Sequence, residues 1–202
     1  MLDLPDVSAD PARQENIARI LDAAEKLFRH YGYSKTNVAD IARDLGMSTA
    51  NIYRFFGSKT EIHQAICGRM LEQSYQMALA IRKQPISAAD RLRAYTMGQY
   101  RITVENMLDE QKVHEMVVVA IEREWHVIEK FIERIQELTG EIIAEGIAAG
   151  EFVEQDPHIA AMCYGAATVN LCHPQMVAQC LNKTHEARPE DIIEFAIRAL
   201  KK

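Results

Sequence analysis

No stretch of this 202-residue chain is apolar over anything near the roughly 18 residues that a membrane-spanning helix needs, and its start lacks the basic-then-apolar pattern of a secretion signal. The expected compartment is the cytoplasm, with no membrane partner. Cysteine is scarce: Cys67, Cys163, Cys172 and Cys180 make neither a disulfide framework nor a C-x-x-C pair, so buried free thiols are expected. The histidines His114, His126, His158, His173 and His185 are scattered, with Cys172-His173 the only adjacent pair of soft ligands. A zinc or copper site needs three or four convergent ligands, so no metal is expected. A serine-centred elbow, a P-loop and a glycine-rich dinucleotide fingerprint are all absent, and neither an enzyme nor a cofactor is expected. Alternating strand patterns and Pro- or Ser-rich linkers are missing as well.

What is present is 48% hydrophobic residues, ample for a buried core, and a net charge of −6 that argues against coating nucleic acid through bulk positive charge. The charge is unevenly placed. Residues 13 to 63 hold eight Lys+Arg against six Asp+Glu, whereas residues 1 to 12 sum to −3 and residues 64 to 202 to −5. Only that early segment is net basic, which suits a molecule that touches phosphate with one end.

Helical periodicity runs through the chain. After an acidic arm, Asp10-Pro11 opens a first helix with an apolar face of Ile17, Ile20, Leu21, Ala24, Leu27, Phe28 and Tyr31, ended by Gly32. Val38, Ile41, Ala42 and Leu45 then recur before Gly46, and Ile52, Tyr53 and Phe56 after it, with Ser48 in an N-cap role. Two short helices joined by so tight a turn form a helix-turn-helix. Ser58-x-x-Glu61 is a capping box for a fourth helix running towards Pro85, and Ser87-x-x-Asp90 starts a fifth. A long helix carrying Ile121, Trp125, Ile128, Ile132, Ile135, Leu138 and Ile142 ends near Gly150. Asp156-Pro157 and Arg188-Pro189 mark two further starts, with an interruption at His173-Pro174 and a short helix up to about Leu181.

In a helix-turn-helix the second helix enters the major groove. Thr49, Ala50, Asn51 and Arg54 are the candidates to face it: Asn pairs with adenine, Arg with guanine, and Ala or the Thr methyl packs on a thymine methyl. Phe55 and Phe56 read as core, and Asp40 as a capping or structural acid, since a carboxylate would repel phosphate.

The run Thr36, Val38, Asp40, Ile41, Ala42, Gly46, Ser48, Tyr53, Phe56 and Lys59 resembles the signature of the TetR/AcrR family of bacterial transcriptional regulators. The resemblance covers about the first third of the chain. It implies an all-α fold, with an N-terminal arm and three-helix DNA-binding domain over 1–57 and a helical ligand-binding and dimerisation domain over 58–202. It matches Thr36, Ser48, Tyr53 and Lys59 to positions used against the DNA backbone. It further implies a homodimer on a palindromic double-stranded operator, nucleoid-associated when bound, most often repressing and released by a small-molecule effector. Two rivals remain open: an activator of the same family, and a helical ligand-binding protein or enzyme with a vestigial helix-turn-helix.

The family dimerises through its last two major helices, which here carry Ile159, Met162, Cys163, Ala166 and Ala167, then Ile193, Ala196, Ile197 and Leu200. Apolar and amphipathic side chains that could line an effector cavity are Met97, Tyr100, Met107, Met116, Trp125, Phe131 and Met162. Nine methionines favour a plastic, apolar pocket.

Overall fold

A computed structural model describes residues 10–105, 112, 115, 119, 126–180 and 187–201. The described residues form nine helices and no strands, in two compact units that divide between Arg69 and Met70.

The first unit holds α1 (Pro11–Tyr31), α2 (Val38–Leu45), α3 (Thr49–Tyr53) and the start of α4 (Lys59–Arg82). Each boundary has a local cause. The Asp10 carboxylate accepts the Ala12 N–H at 3.1 Å ahead of Pro11, and Gly32 ends α1 at φ 93°. Asn37 and Asp40 form a reciprocal capping box at 2.9 and 3.0 Å, which gives Asp40 its structural role. Gly46 closes α2 in the left-handed region at φ 65°, and Ser48 Oγ accepts the Asn51 N–H at 3.2 Å to open α3. Ser58 Oγ caps α4 through the Glu61 N–H, while the Glu61 carboxylate reaches back to the Gly57 N–H at 2.7 Å rather than to Ser58.

These caps orient an apolar face on each helix towards one core. Ile20, Leu21, Ala24, Leu27 and Phe28 of α1 meet Val38, Ile41 and Ala42 of α2, Ile52 of α3, and Ile62 and Ile66 of α4. Tyr31, expected on that face, is exposed at the last position of α1, with its ring set edge-on to His30 at 4.4 Å. Across the same unit, Arg69 of α4 pairs with Asp22 at 2.6 Å and Glu25 at 2.7 Å on α1.

The second unit holds the rest of α4 with α5 (Ala88–Glu105), α6 (His126–Ala148), α7 (Pro157–Cys172), α8 (Pro174–Cys180) and α9 (Pro189–Arg198). Its core draws on Leu92 and Tyr95 of α5, Leu138, Ile142 and Ile143 of α6, Ala161, Tyr164 and Leu171 of α7, and Ile193 and Ile197 of α9. Three buried hydroxyls are paired: Thr96 Oγ1 and the Tyr164 hydroxyl share a hydrogen bond at 2.7 Å, and Thr168 donates to the Tyr164 carbonyl. The Glu151 carboxylate accepts the Ala88 and Ala89 N–H groups at 3.0 and 3.1 Å, fixing the start of α5 beside the Ser87–Asp90 cap. His173, extended at ψ 120°, separates α7 from α8 as a residue before proline should.

Of the long stripe expected from Ile121 to Ile142, Leu138 and Ile142 are buried and Ile132 is exposed, while Ile121 and Trp125 lie outside the described residues. None of the helices described is long and apolar enough to cross a membrane.

Candidate nucleic-acid interface

α3 has five residues, too few to be stable alone, so its orientation is imposed by its neighbours. Ile52, fully buried, is its anchor. With Ile52 pointing inward, helical geometry turns Thr49, Ala50, Tyr53 and Arg54 outward, all four exposed, and leaves Asn51 half-buried. Four of the five residues predicted to lie along this helix, with Ser48 exposed at its cap, thus share one solvent face. Among the described residues Arg54 forms no ion pair, whereas Lys26, Arg29, Arg43 and Arg69 of the same unit are each held by a carboxylate at 2.6–3.1 Å.

Thr36 and Lys59 are placed differently. Thr36 is 2% exposed, and its hydroxyl donates to the Gly32 carbonyl at 2.9 Å. The Lys59 ammonium donates to the Tyr33 and Thr36 carbonyls, each at 2.9 Å, and sits 4.2 Å from the centroid of the Tyr33 ring. Two of its three N–H groups therefore fasten the α1–α2 loop to the first turn of α4. The loop they hold leads directly into the capping box of α2.

His63 was not singled out by the sequence. It is 2% exposed, with Phe28 at 5.7 Å and Tyr33 at 4.8 Å between ring centroids. Burial, and then the nearby Lys59 charge, lower its pKa to about 4, so the imidazole is neutral at pH 7. Only its step of one residue beyond Ile62 on a predicted amphipathic helix could have hinted at this, and that signal is weak.

Met97 and Tyr100, two of the residues nominated for an effector cavity, pack half-buried against the core of the second unit; Phe131 is half-buried on α6, and Met107, Met116 and Trp125 lie outside the described residues. Met162 is exposed on the outer side of α7, together with Ile159, Cys163, Ala166 and Ala167. The four candidates on and after the last helix require a correction. Ile193, Ala196, Ile197 and Leu200 are buried within the single chain, because α9 packs that face onto α5 and α7; the large apolar residue it leaves exposed is Phe195, at 70%.

Burial raises the Cys67 thiol to about 11 and Cys172 to about 12, and Cys163 is exposed. An open depression of about 630 Å³ at the end of α1 is lined by Lys26, Leu27, Arg29, His30, Tyr31 and Asp44 and gathers none of the predicted site residues.

Comparison with known proteins matches residues 20–66 to a family model described as bacterial regulatory proteins, tetR family, and residues 88–193 to one described as tetracyclin repressor-like, C-terminal domain. Among curated relatives, the HTH-type transcriptional regulator TtgR of Pseudomonas putida is 37% identical over 67 residues, 33% of this chain and 32% of that protein. The matched stretch spans about a third of the length of such relatives. Among solved structures, a tetR-family regulatory protein from Rhodococcus RHA1 aligns with a TM-score of 0.65 at 21% identity, covering 96% of this chain and 98% of that one. SmeT, the repressor of the Stenotrophomonas maltophilia multidrug efflux pump SmeDEF, aligns with the same TM-score at 18% identity over 94% and 92%. At such identities the likeness is one of fold.

Proposed function

Because this chain belongs to the TetR family of bacterial transcriptional regulators, we propose that it binds a palindromic operator as a homodimer and most often represses, with release by a small apolar or amphipathic effector. The observation that carries the reading is the solvent face of α3, where Thr49, Ala50, Tyr53 and Arg54 stand around the buried Ile52. A five-residue helix that spends its one buried side chain on anchorage and is followed by Arg54, whose guanidinium forms no ion pair among the described residues, is suited to the major groove. Arg54 and Asn51 read base edges, while Ala50 and the Thr49 methyl pack on thymine methyls. Ser48 and Tyr53 meet phosphate. Thr36 and Lys59 act on the same interface by holding the α1–α2 loop, and the Lys59 charge adds to the local field.

The effector acts by population shift, binding the DNA-incompetent arrangement more tightly than the competent one, since equal affinity would shift nothing. A coupling of about 1–3 kcal/mol is typical of such systems. Met97 and Tyr100, half-buried on α5, with Phe131 and the exposed Met162 are the described residues of this cavity reading. Residues 1–57 form its DNA-binding part and 58–202 its ligand-binding and dimerisation part, with action in the cytoplasm at the nucleoid.

Selection of bound duplexes from a random pool by the purified protein at stated salt tests the reading. An inverted repeat with half-sites about one helical turn apart, roughly 34–36 Å, is expected, or a multiple of that spacing. Arg54→Ala should broaden the recovered base preference at one position of each half-site. An unchanged preferred sequence would remove Arg54 from base reading, and recovery of no duplex above background would overturn the proposal.

A further inference from the structure

The first turn of α1 brings to the reading head a cation that the sequence pattern does not announce. The guanidinium carbon of Arg13 lies 5.2 Å from the centroid of the Phe55 ring. Phe55 immediately follows Arg54, the C-cap of α3, so this stack fixes a side chain of α1 against the C-terminal end of the recognition helix. The residue that the sequence assigns to plain core is thus also a platform for a charge.

The charge on that platform is unspent. Lys26, Arg29, Arg43 and Arg69 face carboxylates, but Arg13 forms no ion pair among the described residues. Asp10, three residues before it, directs its carboxylate to the Ala12 N–H as the cap of α1, and Glu15, two residues after it, enters no ion pair among the described residues. An aromatic ring engages a guanidinium through its flat face and leaves the in-plane N–H donors pointing outward, the geometry in which arginine grips a phosphate with two parallel hydrogen bonds. The stack also restrains a long side chain in advance, so less rotamer freedom is lost when a ligand arrives.

We propose that Arg13, held by Phe55, is a phosphate-binding residue of the DNA interface and grips the backbone of the duplex whose bases α3 reads. The inference rests on the DNA-binding reading of α3. It assigns to α1 a direct contact with DNA, in addition to its role of backing the helix-turn-helix.

The test uses the full chain and a duplex selected by the wild type, with affinity measured by fluorescence anisotropy across a salt series. Arg13→Gln removes the charge but keeps a polar side chain of similar reach. It should weaken binding about tenfold on selected and random duplexes alike, and make the slope of log K against log salt shallower by about 0.9 per chain. Phe55→Leu keeps the charge and loses the platform, so the slope should stay and a smaller loss of affinity should appear. Base preference should be unchanged in both, and thermal melts should show both folded.

Wild-type affinity and slope in Arg13→Gln would overturn the proposal. So would a loss of affinity at unchanged slope, which would make Arg13 a structural residue, or an altered base preference, which would make it a base reader. Failure of the wild type to bind any duplex would overturn the DNA-binding reading with it, and is therefore distinguishable from failure of this inference alone.

Discussion

At the scale of single residues, His63 ties stability to pH. Its folded pKa, about 4, lies below the 6.5 of an exposed histidine because the imidazole is buried and the Lys59 charge is near. Between those values the unfolded chain binds the proton and the folded chain does not. Stability is therefore full above pH 6.5 and falls as pH drops towards 4, by on the order of 3 kcal/mol in all. His63→Phe, which retains an aromatic ring beside Phe28 and Tyr33, should flatten this part of the profile. Melting temperatures of the two proteins from about pH 4 to pH 7 would check it, and parallel profiles would place the acid sensitivity elsewhere. At the same scale, Lys59→Met should do more than weaken DNA binding. It removes two hydrogen bonds to loop carbonyls, so a loss of about 1–3 kcal/mol in stability should accompany the lost affinity. Wild-type stability in Lys59→Met would mean that the ammonium does not hold the loop.

At the scale of elements, two glycines do different work. Gly46 ends α2 at φ 65° with nothing within 4 Å of where a Cβ would stand, so Gly46→Ala meets only the left-handed backbone penalty, about 1 kcal/mol. Gly146, inside α6, would place a Cβ 2.4 Å from the Phe152 ring and 2.8 Å from the Ala88 Cβ. Gly146→Ala forces apart α6, the Phe152 turn and the start of α5, and should cost about 1–3 kcal/mol or more. Chemical denaturation of both variants gives the order, and an equal cost would refute the packing argument. The contrast also explains what the sequence could reveal. Gly46, Ser48 and Ser58 act on backbone groups within four residues, so helix boundaries and the turn were legible, whereas the sequence sets Ile52 beside Tyr53 and Phe56 as one of three apolar residues and the structure makes Ile52 the buried anchor and leaves Tyr53 exposed. Gly146 depends on a ring six residues later and on another helix. The Arg13–Phe55 stack and the Lys59 bonds to the loop likewise join positions distant in sequence. The inward face of α9 was misassigned for a related reason: Ile193, Ala196, Ile197 and Leu200 form an apolar stripe whose pattern is the same whether its partner is its own chain or a second copy.

At the scale of the whole molecule, what α7 leaves uncovered argues for a partner. Its inner side supplies Ala161, Tyr164 and Leu171 to the core, yet its outer side is also apolar, with Ile159 at 54% exposure beside Met162, Cys163, Ala166 and Ala167. A helix apolar all round belongs in an interior, and a monomer gains nothing by exposing it. In a symmetric dimer the same patch meets itself, so a charge introduced there meets its own copy. Gly165 admits a Cβ without any contact in the single chain, consistent with an open surface that a second helix could approach closely. The wild type should sediment as a dimer, and Ala166→Arg as a folded monomer, because position 166 supports nothing inside the chain. A short bismaleimide should link two chains mainly through the exposed Cys163, and Cys163→Ser should remove most of the link, since Cys67, Cys172 and Cys180 are less exposed and burial raises the thiol pKa of the first two. The monomeric variant should lose most of its preference for the inverted repeat over a random duplex while retaining weak, salt-sensitive binding through α3. A wild-type monomer at micromolar concentration would refute the dimer, and a dimer indifferent to Ala166→Arg would move its interface away from α7.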